Sequence, residues 1–558
     1  MRKLLLLSIF AGVFALSACN NRKNMENEAK AFLTQYDSII TPLSKELNLA
    51  SWEAAINATP ENFARVEALS KKLNGIYSSK NDFAALKKFK DSKNIKDSLV
   101  KRQVEVLYNA YLGNQVDTSL LNQSVKMQSA IEQKYTNFRA EVNGKKVNDN
   151  QIEEILKNST NSADLQKAWE GHKAIGSIVD KDIIALVKKR NEIAKSVGFN
   201  NYHEMSLKLS EQDPAEVSKL FDELDQLTKD AFVKLKGEID DYLASRLHIS
   251  KEQLMPWHYQ DRFFQEGPAI YKVDLDKYYK GKDLAKLTAD YYTSIGFDVN
   301  DIMSKSSLYP KEGKNQHAFC TDIDNKGDVR VLCNIQPNLY WMNTMLHEFG
   351  HAIYDKYIDM NLPFSLRNPA HQFTTEAVAM IFGRRAANAD FLKSMGLVNE
   401  AEAKQIAADG FKVLRLQQLV FSRWAQVMYR FEKGMYENPD QDLNKLWWDL
   451  VEKYQMMKRP ANRNAPDWAS KIHIASYPCY YHNYLLGELL ASQMQHYVVT
   501  NVIKTADAND SFYGKKEAGQ FFLDKIFKPG ALYPWNTMIE KATGEKLTAK
   551  YYAEQFVK

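Results

Sequence analysis

His347 and His351 stand four residues apart in the run His347-Glu348-Phe349-Gly350-His351. On a helix, positions i and i+4 share one face, about 6 Å apart. Two imidazoles so placed can both reach one zinc ion at about 2.0–2.1 Å. Glu348 lies one position on, where it can act on a water beside the metal instead of binding the metal itself. A hydrolytic zinc needs three protein ligands and one open position. Glu376, in Thr374-Thr375-Glu376-Ala377-Val378-Ala379, is the best third ligand. It begins an otherwise apolar helical run, where an unpaired carboxylate is costly and a cation removes the cost. The plainer reading of Glu376 is a helix-start carboxylate favoured by the dipole. His371 is the competing ligand.

These side chains need rigid elements to hold them. Trp341, Met342, Met345, Leu346, Phe349, Ala352 and Ile353 surround the histidines with apolar residues, which predicts a buried helix starting after Pro337. The chain reads as helical almost throughout. Thr59-Pro60 is a cap followed by Pro at the first helical position, then Phe63, Val66, Leu69 and Leu73 recur at helical spacing, with Gly75 as a stop. Asp213-Pro214 repeats the device before Val217, Leu220, Leu224 and Leu227, and amphipathic runs cover 378–435 and 441–457. Residues 316–335 break the pattern: two β-like runs flank the turn signal Asp324-Asn325-Lys326-Gly327, which predicts a β-hairpin directly before the His347 helix. An edge strand there can pair with an extended peptide backbone without demanding particular side chains. The expected architecture is mainly α, a large helical body with one small sheet beside the metal helix. No repeat and no low-complexity linker divides it.

Composition agrees with a globular chain: 558 residues, 45% hydrophobic and 26% charged. A net charge of +5, spread among acidic residues, gives no argument for nucleic acid. Arg2 and Lys3 precede an apolar run from Leu4 to Leu16, too short for a permanent span, and then Leu16-Ser17-Ala18-Cys19. The last four residues look like a bacterial lipobox, which implies cleavage before Cys19 and its lipidation. The expected organisation is a signal peptide over 1–18, a lipidated polar tether over 19–30 and one helical domain over 31–558. The membrane is then met through lipid alone, in the bacterial envelope. No acidic run follows Cys19, which favours an outer-membrane anchor with the body in the periplasm. An oxidising compartment allows a Cys320–Cys333 bridge and leaves Cys479 as a free buried thiol. No Cys-x-x-Cys pair occurs, which argues against a cysteine zinc site.

The zinc motif, followed by a Glu 25 residues after its second His (376 − 351), resembles the zincin peptidases with a distant glutamate ligand. The nearest resemblance is to angiotensin-converting-enzyme-like peptidyl-dipeptidases, over about Trp52 to Tyr497. It rests on Ala58-Thr59-Pro60-Glu61-Asn62, His317-Ala318, Asn368-Pro369, Trp447-Trp448-Asp449-Leu450, Lys453-Tyr454-Gln455, Lys471-Ile472-His473, Tyr481 and Tyr484. The chain departs from that family at Met380, where the family carries an Asp, and at Asn483, in the place of a chloride-linked Arg. Cys320 follows His317, whereas the family's paired cysteine precedes it. The HEFGH string, the 25-residue gap and Tyr480-Tyr481-His482-Asn483-Tyr484 also resemble the thimet-oligopeptidase-like family. Both families have a helical fold with a deep channel.

The resemblance implies one zinc ion on His347, His351 and Glu376, with Glu348 as general base and His473 and Tyr484 stabilising the oxyanion. It implies a substrate backbone on His317 and Ala318. Lys471, Tyr481 and Gln265 would hold a C-terminal carboxylate, and a peptidyl-dipeptidase working on peptides, as a monomer, is the expected activity. An oligoendopeptidase of short peptides is the second reading. A catalytically silent lipoprotein that binds peptides or scaffolds an envelope complex is the third, and it predicts a broken metal site.

Overall fold

The computed structural model describes residues 4–271 and 273–557, with side chains from residue 24 onward. Cys19 and the signal segment therefore lie outside the residues described at side-chain level, and the lipid anchor is not addressed by the fold.

Where the sequence places a cap, a helix begins. Thr59 accepts a hydrogen bond from the Asn62 amide at 3.3 Å and opens the helix Pro60–Tyr77, which runs two residues past the expected stop at Gly75. Asp213 accepts from the Ala215 and Glu216 amides and opens helix α1 (Pro214–Leu247). Val217, Leu220 and Leu224 are buried as the spacing predicts, but Leu227 is 41% exposed. At 100° per residue, position 227 lies about 80° off the face begun by Val217, whereas Thr228 returns to within about 20° of it. Thr228 is buried and gives its hydroxyl proton to the Leu224 carbonyl, so the inward stripe continues through a polar residue.

The first long helix, Leu4–Ile56, already belongs to the packed body before residue 31. Ala29 is fully buried, and Glu26 accepts hydrogen bonds from the Lys96 and Asp97 amides. The expected tether over 19–30 is thus too long at its C-terminal end. This helix shares a cluster of its own with Leu86, Phe89, Val104 and Leu107. Trp52, Ile323 and Leu332 tie it to the sheet beside the metal helix. No described helix is long and apolar enough to cross a membrane.

Among the described residues there are two hairpins. Strands β1 (Ala140–Val142) and β2 (Lys145–Val147) flank Asn143-Gly144, both at positive φ. That Asn-Gly step is a strong hairpin signal and was readable, but the strands are only three residues long. The expected hairpin is β3 (Phe319–Asp322) against β4 (Val329–Leu332), antiparallel with Phe319 opposite Leu332 and Asp322 opposite Val329. Asp322 accepts from the Asp324 and Asn325 amides, and Asp324 from those of Lys326 and Asp328, so two aspartates tie the turn.

The proposed Cys320–Cys333 bridge is absent, and Cys320, Cys333 and Cys479 are all free. Cys320 faces Val331 across the ladder, which leaves Cys333 diagonal to it. Diagonal positions are about 7–8 Å apart, beyond the reach of a disulfide. Cys320 instead directs its thiol toward Asp355.

Four helices enclose the functional region: α2 (Leu339–Lys356), α3 (Gln372–Gly383), α4 (Glu400–Glu437) and α5 (His482–Tyr497). Asn338 caps α2 by accepting from the Trp341 amide at 2.9 Å, one residue beyond Pro337. Met342, Met345, Leu346, Phe349, Ala352 and Ile353 are all fully buried. α3 is wedged between α2 and α5, and glycines set the spacing. A Cβ on Gly350 would stand 2.9 Å from the Ala379 Cα, and one on Gly487 3.2 Å from the Met380 sulfur.

Candidate metal centre and peptide cleft

α2 and α3 bring His347, His351 and Glu376 together. One donor atom from each lies within 4.8 Å of the others. The Glu376 Oε2 is 3.6 Å from His347 Nε2 and 3.9 Å from His351 Nε2. Ligands at about 2.0–2.1 Å around a tetrahedral ion would stand roughly 3.4 Å apart, so the three need only a small closure. Burial pushes the His347 imidazole down to about 4 and that of His351 well below its usual range. Both are therefore neutral at physiological pH, with lone pairs free to ligate. The His351 Nδ1 meets the Thr375 hydroxyl at 2.7 Å, which turns its Nε2 toward Glu376. Among the described residues no group donates a hydrogen bond to Glu376, and burial lifts its carboxyl to about 7. A half-buried carboxylate facing two neutral imidazoles suits a divalent zinc ion.

His371 does not take part. It caps α3, its Nδ1 accepting from the Phe373 amide at 3.1 Å, and it lines a different cavity with Glu211 and Gln372. Glu376 stands in the second turn of α3, beyond the first-turn amides that reward a helix-start carboxylate. Glu348 is 8% exposed. Burial, and then the charge of Glu376, lift its carboxyl to about 8.

Beside this centre lies a cavity of about 430 Å³ lined by Gln265, Lys471, His473, Tyr481 and Tyr484 among others. Gln265 thus meets four residues that lie more than two hundred positions further along the chain. Lys471 is 7% exposed, although a lysine ordinarily lies at the surface. Its ammonium donates to Gln265 Oε1 at 2.6 Å and stands 5.1–5.4 Å from the rings of Phe263, Trp424 and Tyr481. Burial lowers it to about 8. The Tyr481 hydroxyl accepts from the Trp424 indole at 2.8 Å, leaving its own proton for a ligand. Burial lowers His473 to about 4, and its Nδ1 is enclosed without a hydrogen-bond partner among the described residues. The Tyr484 phenol is raised by burial and by the charge of Glu376, which places it within the field of the metal centre.

His317 and Ala318 immediately precede β3, which packs on α2. With two strands in the ladder, β3 keeps one edge unpaired by any other strand among the described residues. Asn483 is buried and accepts from Gln212, which also meets His482, so a neutral network fills the place of the family's arginine. Sequence reasoning did not find Thr375, Trp424, Phe421, Glu266, Glu488 or Arg384. Thr375 was the one with a signal, standing directly before a candidate ligand.

Comparison with known proteins places this architecture. The peptidase M2 family, described as angiotensin-converting enzyme, matches residues 23–260 and 266–556. Angiotensin-converting enzyme of Theromyzon tessulatum is 22% identical over 97% of this chain and 92% of its own length. The Rattus norvegicus enzyme is 24% identical over 73% of this chain and 33% of its own, and that of Mus musculus 22% over 95% and 43%. The chain thus spans well under half of those two longer relatives. With a match over nearly its whole length, this chain belongs to the angiotensin-converting-enzyme family of peptidases.

Proposed function

We propose that this chain is a zinc-dependent peptidyl-dipeptidase that releases dipeptides from the free C-termini of peptides. What carries the reading is the buried Lys471 ammonium, held by Gln265 and framed by aromatic rings in the same cavity as His473 and Tyr484. A buried cation without an acidic partner is costly unless a ligand supplies the charge. A peptide's terminal carboxylate supplies it.

His347, His351 and Glu376 would hold the zinc. When bound, zinc polarises a scissile carbonyl and acidifies a water. Glu348 takes a proton from that water and returns it to the leaving amine; a carboxyl held near neutrality by its surroundings suits both transfers. His473 and Tyr484 donate hydrogen bonds to the oxygen on which negative charge develops. The free edge of β3, entered through His317 and Ala318, aligns the substrate backbone.

The test is product analysis on one peptide with free and with amidated C-termini, with and without a chelator. Chelator-sensitive dipeptide release that collapses on amidation is the expected result. Indifference to amidation would select the oligoendopeptidase reading, and no chelator-sensitive hydrolysis would select the silent one. The lipobox-like run supports a body tethered by lipid at Cys19 and facing the periplasm. Release of a Cys19→Ser chain from the membrane fraction tests that placement.

A further inference from the structure

The cavity that holds Lys471 carries a second kind of recognition. Two of its lining residues are carboxylates, Glu266 and Glu488, and two more, Met380 and Phe421, are apolar. The carboxylates differ in what already satisfies them. Glu488 accepts from the Gln418 amide at 3.0 Å and is paired with the Arg384 guanidinium. Glu266 stands exposed at the cavity wall and makes no hydrogen bond or ion pair with any described residue. Its charge is felt at Lys471. The same cavity thus offers one cation for a carboxylate, one carboxylate without an ion-pair partner among the described residues for a cation, and apolar wall in Met380 and Phe421.

We infer that Glu266 selects peptides ending in a basic residue, with the substrate's terminal carboxylate on Lys471 and its side-chain cation on Glu266. This rests on the peptidyl-dipeptidase reading and names its substrate class. A lysine or arginine has the matching form: an aliphatic stem to lie on Met380 and Phe421, and a cationic head that stays hydrated near an exposed carboxylate. Glu488 does not compete for the head, because Arg384 already neutralises it. A C-terminal acidic residue would bring its second carboxylate toward Glu266 and be disfavoured.

The experiment compares three peptides identical except for a C-terminal Lys, Leu or Glu. In the wild type, kcat/KM for the Lys peptide exceeds that for the Leu peptide by roughly tenfold, as suits a partly exposed charge pair, and the Glu peptide is poorest. Glu266→Gln brings the Lys-to-Leu ratio toward one, and Glu266→Lys inverts the Lys-to-Glu order. Glu266 bonds to nothing in the described fold, so unchanged melting of both variants is expected. Equal rates for Lys and Leu in the wild type, or a preference that survives Glu266→Gln, would overturn the inference while leaving dipeptide release intact. If none of the three peptides loses a dipeptide, the parent reading fails and the inference with it.

Discussion

Adding a single methyl group at Gly350 should loosen the metal site without unfolding the protein. The new Cβ would stand 2.9 Å from the Ala379 Cα, 3.3 Å from the Val378 carbonyl oxygen and 3.4 Å from the Ala379 nitrogen. Carbon atoms sit at about 3.5–4.0 Å in ordinary contact, so α2 and α3 must part by roughly 0.6–1 Å at their crossing. Backbone is met, not the end of a flexible side chain, so no rotamer change relieves it. His347 and His351 ride on α2 and Glu376 on α3, so the parting falls directly on the three ligands. Metal–ligand distances tolerate only about 0.2 Å. Zinc affinity of Gly350→Ala should therefore fall by roughly 10–100-fold, the range seen when the support of a ligand is lost. Stability changes less: Ala gains about 1 kcal/mol over Gly in a helix, against an overpacking cost of about 1–3 kcal/mol. Chelator competition for zinc, with thermal melts of the metal-free protein, measures both. Gly75→Ala is the control, because a Cβ there meets nothing within 4 Å and the zinc affinity should not move. Wild-type zinc affinity in Gly350→Ala would refute the claim that this crossing sets the ligand geometry.

Glu348→Gln should retain stoichiometric zinc and lose turnover by several orders of magnitude, whereas near-normal kcat would remove Glu348 from proton transfer. Thr375→Val keeps the shape of the side chain and removes the hydroxyl that meets His351 Nδ1, so zinc affinity should drop about tenfold or more; calorimetric titration decides it. Lys471 has a proton affinity lowered to about 8 by burial, with further contributions from Asp261, Arg262, Glu266 and Glu153 and with His473 nearby. The bound carboxylate needs the ammonium, so affinity for a dipeptide with a free C-terminus should be full below pH 8 and fall toward about tenfold per unit above it. Binding of the same dipeptide as its amide should stay level through that range, and a matching fall would exclude Lys471 as the cause. The unfolded chain releases this proton nearer the ordinary lysine value, 10.5. Burial of Lys471 therefore costs stability below pH 8, and the cost fades as pH rises through 8 to 10.5.

The sequence by itself determined what is local. The i, i+4 histidines, the caps at Thr59 and Asp213, the helix start after Pro337, and the turn at Asp324 to Gly327 are each decided by neighbours within a few residues. They needed no knowledge of the fold, and the ligand pair with Glu348 was legible for the same reason. Glu376 was within reach because one short segment separates its helix from theirs. Tertiary structure alone decided the rest. Lys471 and Gln265 are more than two hundred residues apart, and only packing of α4, α5 and their loops buries one against the other. The same packing gives Trp424 to Tyr481, leaves Glu266 unmatched while pairing Glu488 with Arg384, and separates Cys320 from Cys333 by one diagonal step of a ladder. Burial and partner choice are properties of surfaces brought together across the chain. A lysine's neighbours in sequence therefore do not reveal whether its charge will meet water or a substrate.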